Sequence, residues 1–409
     1  MGTMGETGFT GLVVVIPTRN RAWLARNAIR SVLSQSIENL SVIVSDNSTI
    51  TQESDELSEF CSQLADPRLQ YIRPPQPLAM TQHWQWALEQ VPEDSRHVTF
   101  LTDRMVYKPG ALQKLGAIAH SHPDMIISYM HDRIIDDQLP VRLEQYEWSG
   151  NLYRIKCSRL VRMVAESFLH GCLPRMLNSV VPRRVLSEVQ NRFGSVFSSL
   201  APDFSFCFRV LSTQKHIMYL DESLLVHYAL DRSNGTTIMR GNLTQDSADY
   251  LATIGGDIVY VAAPIPELTM VHNAIMHEFN VAKAETSSPK FPEINFLKYL
   301  DALECETREF FNAEYREKVM SLVRRYRETS QPAGLRKIAS GTRSLMSRAY
   351  GKTRLTLGLA NGANYETSRP LQFESTQEAL DFATGHARAR SKSMQAAARA
   401  HLRPEQVGW

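Results

Sequence analysis

The sequence predicts an α/β protein with a mostly parallel central sheet flanked by helices, followed by an α-helical C-terminal region. Three observations carry this. Short, β-branched apolar runs recur through the first part of the chain, separated by stretches with apolar residues at helical spacing. The runs are continuous rather than alternating, as expected of strands buried on both faces. After about residue 240 the strand-like runs stop while helical spacing continues. The expected division is therefore one unit over residues 1–240 and a helical one over 241–409.

Leu12–Ile16 (LVVVI) reads as the first strand, broken by Pro17-Thr18-Arg19-Asn20. Ala22–Gln35 then carries Leu24, Ala28, Val32 and Leu33 at helical spacing. Ser41–Ser45 (SVIVS) is a second strand, ended by Asp46-Asn47-Ser48. Glu53–Leu64 reads as a helix, Leu69–Ile72 as a short strand, and Met80–Val91 as a helix with Trp84 and Leu88 on one face. His97–Thr102 is a strand, Gly110–His120 a helix, and Met125–Met130 a strand. Strands alternating with helices imply right-handed βαβ units and a parallel sheet. In such sheets ligands bind beyond the carboxyl ends of the strands. Those ends are the polar segments Pro17–Asn20, Asp46–Ser48 and Asp103–Arg104.

Further along, Cys157–Phe168 reads as a helix and Gly171-Cys172-Leu173-Pro174 as a break. Asp203–Leu211 is a helix opening with Pro202 and Asp203, His216–Tyr228 a strand pair or hairpin, and Asp231–Gly235 a turn. Ser247–Ile254, Glu267–Val281 and Ile294–Tyr326 read as helices. Gly334–Thr353 is basic, and Gln377–His401 is Ala- and Arg-rich and helical. Thr286–Pro292 and Gln331–Gly334 suit linkers.

A net charge of +2 gives no reason to expect nucleic acid, which draws a concentrated basic surface. The five cysteines form no CxxC pair, and their odd number argues against a zinc knuckle or a disulfide framework. The N-terminus lacks a basic segment followed by a long apolar stretch, and no later run reaches the ~20 residues of a membrane helix. The expectation is a cytoplasmic protein with at most peripheral membrane contact.

The order of polar strand ends resembles family 2 glycosyltransferases, which have the GT-A fold. The resemblance runs through VVVIPTRNRAWLARNAIRSVLSQS, SVIVSDNST and FLTDRMVYKPGAL, and covers about residues 10 to 240. It implies an enzyme that moves a sugar from a nucleotide-sugar donor, with UDP the commonest base, to a hydroxyl of a glycan or other acceptor, with inversion. It implies that the loop Pro17, Thr18, Asn20 and Arg21 holds the nucleotide and that Asp46 accepts from uracil or ribose. The plain structural alternatives are a helix cap at Thr18 or Asn20 and an Asx-turn at Asp46. His83, beside Trp84 and Trp86, lies where related sequences cover the donor sugar; a core role for Trp84 and a capping or surface role for His83 compete with this.

Asp103-Arg104-Met105 departs from the family's Asp-rich run. Aligned on Lys108-Pro109-Gly110, Asp103 takes the first carboxylate position and Met105 the third. Asp103 remains a candidate for ribose or for Mg²⁺ or Mn²⁺, but a thioether is a poor ligand for a hard cation. Cationic neutralisation of the leaving diphosphate, with Arg104 as the candidate, is the corresponding metal-independent expectation. The alternatives are Arg104 pointing to solvent and a catalytically inactive chain that binds nucleotide sugar or glycan, or serves as an assembly subunit. Asp203, where the family places an acidic residue, is the expected catalytic base, with helix capping as its structural alternative. His227 and Arg232 are candidates for the diphosphate or metal region, against a purely structural turn. The C-terminal helices are unassigned; homo-oligomer contacts through them and an anionic partner surface are the functional options, a solvated helical face the bland one.

Overall fold

The central strand β1 (Leu12–Thr18) is buried along its whole length. Its β-branched residues have both faces covered, which is why the run does not alternate. β1 pairs in parallel with β2 (Leu40–Asp46) on one side and β4 (His97–Phe100) on the other, and β3 (Leu69–Ile72) extends the parallel set beyond β2. The crossovers are helices. α1 (Ala22–Leu33) buries Ala22, Leu24, Ala25, Ala28, Ile29 and Val32, one face at helical spacing. α2 (Thr51–Leu64) and α3 (Met80–Glu89) follow, and Trp84 of α3 is buried against Phe100 and Phe197. The computed structural model describes residues 11–145, 147–198, 200–239, 244–253, 258–309, 312–329, 371–385 and 393–409.

The second half of the sheet is mixed. β5 (Met105–Tyr107), α4 (Ala111–Ser121) and β6 (Ile127–Ile135) are followed by β7 (Val141–Glu144), β8 (Leu152–Lys156), α5 (Cys157–Ala165), β9 (Ser179–Pro182), α6 (Arg183–Phe193), α7 (Pro202–Thr213) and β10 (His216–His227). β9 lies antiparallel between β4 and β6 and joins the two halves. β6 and β10 are parallel neighbours, and β5 pairs antiparallel with the end of β10.

Two expectations need correction. His216–Tyr228 is no hairpin: β10 is one strand, with register shifts against β6 between Leu220 and Leu225. The segment has no Gly, Pro or Asn to reverse the chain. Its polar pair Asp221-Glu222 sits at a bulge, where Asp221 accepts hydrogen bonds from Ser149 and Tyr219. The proposed helix Ile294–Tyr326 is two, α11 (Phe296–Glu306) and α12 (Ala313–Thr329). A 3₁₀ turn at Thr307–Glu309 leads out of α11, and Thr307 returns its hydroxyl to the Glu304 carbonyl.

The region after residue 240 is mainly helical, as expected. α8 (Asn234–Met239) leads into α9 (Gln245–Thr253) and α10 (Val271–Thr286), then α11 and α12. α10 packs on α7 through Phe279 against Phe208 and through Glu285 on Arg209. Two short strands also return to the sheet. β11 (Leu371–Phe373) pairs with β7, followed by α13 (Thr376–Gly385). After α14 (Ala396–Leu402), β12 (Glu405–Val407) pairs with β8. The basic stretch Gly334–Thr353, the linker Gln331–Gly334 and residues 386–392 of the proposed last helix lie outside the described residues. Among the described residues no helix is long and apolar enough to cross a membrane, and the five cysteines are free thiols.

Candidate active site

The carboxyl ends of β1 and β4 and the start of α7 open onto one cleft of about 370 Å³. The loop after β1 lines it with Pro17, Thr18, Arg19, Asn20 and Arg21; α3 contributes His83, and the strand ends contribute Asp103, Arg104, Met105 and His227. Asp203 lies on the same cleft. Proposed residues from positions 17 to 227 thus converge, as the strand-end rule predicts.

The loop after β1 is held by its own side chains. Asn20 adopts a left-handed backbone (φ 54°), which Asn tolerates better than most residues. Its Oδ1 accepts from the Thr49 and Ile50 amides at 2.8 and 3.0 Å, and its own N–H donates to Ser48 Oγ at 2.8 Å. Asn20 therefore ties the loop after β1 to the loop after β2. Neither Thr18 nor Asn20 caps α1: the cap residue is Arg21, and the Ala22 amide donates to Glu53 Oε2 at 2.7 Å. Thr18 instead donates its hydroxyl to Asp103 Oδ2 at 2.9 Å, while Arg21 stands 3.7 Å from Asp103 Oδ1 and donates to Asn234 Oδ1.

Asp46 and Arg232 do not line the cleft. Asp46 is fully buried. Its carboxylate accepts from the Ser48 amide, forming the Asx-turn, and from the Tyr71 hydroxyl at 2.7 Å. Arg232 is exposed on the turn after β10 and pairs with Asp231. His83 is buried, with Nε2 2.8 Å from Ser45 Oγ. Burial, with Arg19 nearby, lowers its pKa to about 4, so the ring is neutral.

Arg104 turns inward. Its Nη1 lies 2.8 Å from His227 Nε2. A guanidinium only donates, so Nε2 must accept and the His227 proton sits on Nδ1. Burial and the neighbouring Arg104 charge push the His227 pKa well below its usual value, in keeping with that neutral form. Burial lowers Arg104 to about 10, far enough above neutrality for it to stay charged. The bulge in β10 and the pairing of His227 with Met105 bring the two strand ends together. Met105 is buried in this pairing.

Asp203 occupies the first turn of α7, after Pro202. Burial raises its pKa, and Arg175, 3.7 Å away, opposes that rise. Arg175 also lies over the Phe204 ring. Sequence reasoning missed both Arg175 and His131. Arg175 sits in an irregular stretch after the Gly171–Pro174 break, and His131 lies inside a strand, where neither pattern nor spacing singles it out. His131 on β6 lines the cleft, is nine-tenths buried, and its Nδ1 has no hydrogen-bond partner among the described residues. Burial and then Arg175 lower its pKa to about 3, so it is a neutral ring with one polar atom unsatisfied.

Four guanidinium groups, Arg19, Arg21, Arg104 and Arg175, thus line the cleft with three carboxylates, Asp103, Asp203 and Asp249. This arrangement can accept an anion and deprotonate a hydroxyl. Its fit to a hard divalent cation is poor. Asp103 already serves Thr18 and Arg21, Met105 supplies only a thioether, and Arg21 and Arg104 would repel the ion. Among the described residues no cluster of three or more His, Cys, Asp or Glu could hold a metal ion.

Residues 13–176 match the model of Glycosyl transferase family 2. The match includes the loop after β1, Asp103, His131 and Arg175, and ends before Asp203 and His227. No curated protein matches the chain. Among solved structures, the chain is similar to S. aureus TarS 1-349, with 13% identity, 76% of this chain and 83% of that chain covered, and a TM-score of 0.42. The same fragment in complex with UDP-GlcNAc matches at 13% identity, 76% and 84% coverage and a TM-score of 0.42. In complex with UDP it matches at 14% identity, 82% and 87% coverage and a TM-score of 0.42.

Proposed function

We propose that this chain is an inverting glycosyltransferase that moves a sugar from a nucleotide-sugar donor, a UDP-sugar by family resemblance, to an acceptor hydroxyl. The catalytic unit we assign to residues 1–240, with the later helices seated against it. The observation that carries the reading is Asp203, raised in pKa by burial and facing the same cleft as the arginines at the strand ends. A carboxylate so placed suits a general base.

In this reading Asp203 takes the acceptor proton as the acceptor oxygen attacks the anomeric carbon. The bond from that carbon to the diphosphate oxygen breaks, and the diphosphate leaves with the electron pair. Arg104, held by His227, and Arg21 meet its charge, which supports transfer without a tightly held metal. Pro17, Thr18, Asn20 and Arg21 border the nucleotide. Asp46 then acts from behind, fixing Tyr71 and the turn that Asn20 grips, and Arg232 has no direct part.

The test is Asp203→Asn, with donor binding read by thermal shift and transfer by release of nucleoside diphosphate. The variant should keep its fold and donor-induced stabilisation while transfer falls by about 10²–10⁴-fold. Near-normal turnover would remove Asp203 as the base. Donor binding with no transfer in the unmodified chain would favour the non-catalytic reading, for which Met105 in place of a carboxylate is the motive.

A further inference from the structure

The cleft changes character beyond Asp203. Leu200 and Phe204 flank that carboxylate in sequence, and Ile238, Ile258, Val271 and Ile275 continue the lining. Leu200 and Ile258 rest on a small apolar cluster of Tyr260, Ala263 and Ala274. Among the described lining residues after His227 the only charged side chain is Asp249. Two of the polar groups nearby are engaged within the protein: the Tyr250 hydroxyl donates to the Leu200 carbonyl, and Asn234 Oδ1 accepts from Arg21. Val271 is 41% exposed although wholly apolar.

A polyhydroxylated surface placed against the wall formed by the side chains of Leu200, Ile238, Ile258, Val271 and Ile275 would lose water without gaining partners from them, a cost for each hydroxyl. An aliphatic surface would gain from the same burial. The wall adjoins Asp203 directly, so whatever covers it is attached to the group whose hydroxyl is deprotonated. We propose that the acceptor carries an aliphatic chain that seats on this wall while its hydroxyl meets Asp203. The inference rests on the reading of Asp203 as the base and adds the class of acceptor.

Binding of octyl and methyl β-glucosides to the full chain, in the presence of UDP and below the micellar concentration, tests it by calorimetry. The octyl compound should bind at least tenfold more tightly, and Val271→Ser or Leu200→Ser should cut that preference about threefold or more while leaving methyl glucoside binding unchanged. Equal binding of the two glucosides overturns the proposal. So does an octyl preference that survives both substitutions in folded variants, because the chain would then sit elsewhere. Asp203→Asn separates the two readings: it should keep the octyl preference, which reports the wall, whereas loss of transfer reports the base.

Discussion

Arg175→Met perturbs the proposed base without touching it. Arg175 Nη1 stands 3.7 Å from Asp203 Oδ2, and the two side chains are 20% and 18% exposed. At that separation the Coulomb attraction is about 1 kcal/mol in bulk water and about 4 kcal/mol at an effective dielectric of 20. Partial exposure places the pair toward the lower part of that range. Losing about 1–2 kcal/mol shifts the proton equilibrium of Asp203 toward the acid by roughly tenfold. The sign is fixed: the base works deprotonated, burial already raises its pKa, and removing the arginine raises it further. The acid limb of kcat/KM should therefore move to higher pH, with the variant roughly tenfold slower below the plateau. Arg175→Lys keeps the charge and should restore much of the limb. The assay is nucleoside diphosphate release across pH at subsaturating acceptor. Superimposable acid limbs for the three proteins would refute the reasoning; a changed donor KM with an unmoved limb would make Arg175 a donor-binding group instead.

Two other outcomes follow. Arg104→Met should lower kcat by about 10²-fold or more, as loss of a charge-stabilising donor does, and the unmodified enzyme should keep turning over in excess chelator; full loss of activity restored by Mn²⁺ would sink the metal-independent account. Asn20→Ala should destabilise by about 2–3 kcal/mol, from lost hydrogen bonds to the loop after β2 and from a left-handed backbone. Asn20→Gly should be milder because it relieves the backbone strain, and equal melting temperatures for the two would show that strain contributes nothing.

The parallel half of the sheet was legible because its signals are local. The continuous run Leu12–Ile16 reads as a strand buried on both faces, and Ala22–Gln35 carries its own helical periodicity. The strand ends at Thr18 and Asp103 follow from that, since topology places ligands there. Within residues 135 to 200 the helix at Cys157 was legible but the strands were not: β7, β8 and β9 are short antiparallel strands that pair with β11, β10 and β4, all distant in sequence. The bulge in β10 was misread for the same reason, since a polar pair inside a strand looks like a turn until its partners, Ser149 and Tyr219 at Asp221, are known.

By itself the sequence determined the α/β class, the order of the strand-end loops and the residue types at Asp103, Arg104, Met105 and Asp203, because periodicity and chemical identity need no partner. The tertiary structure decided which of these meet. It turned Arg104 onto His227, withdrew Asp46 behind Tyr71, left Arg232 outside, and brought His131 and Arg175 into the cleft. Each of those outcomes depends on contacts between side chains far apart in the chain, and hydrogen-bond geometry and burial are properties of the folded arrangement rather than of any one segment.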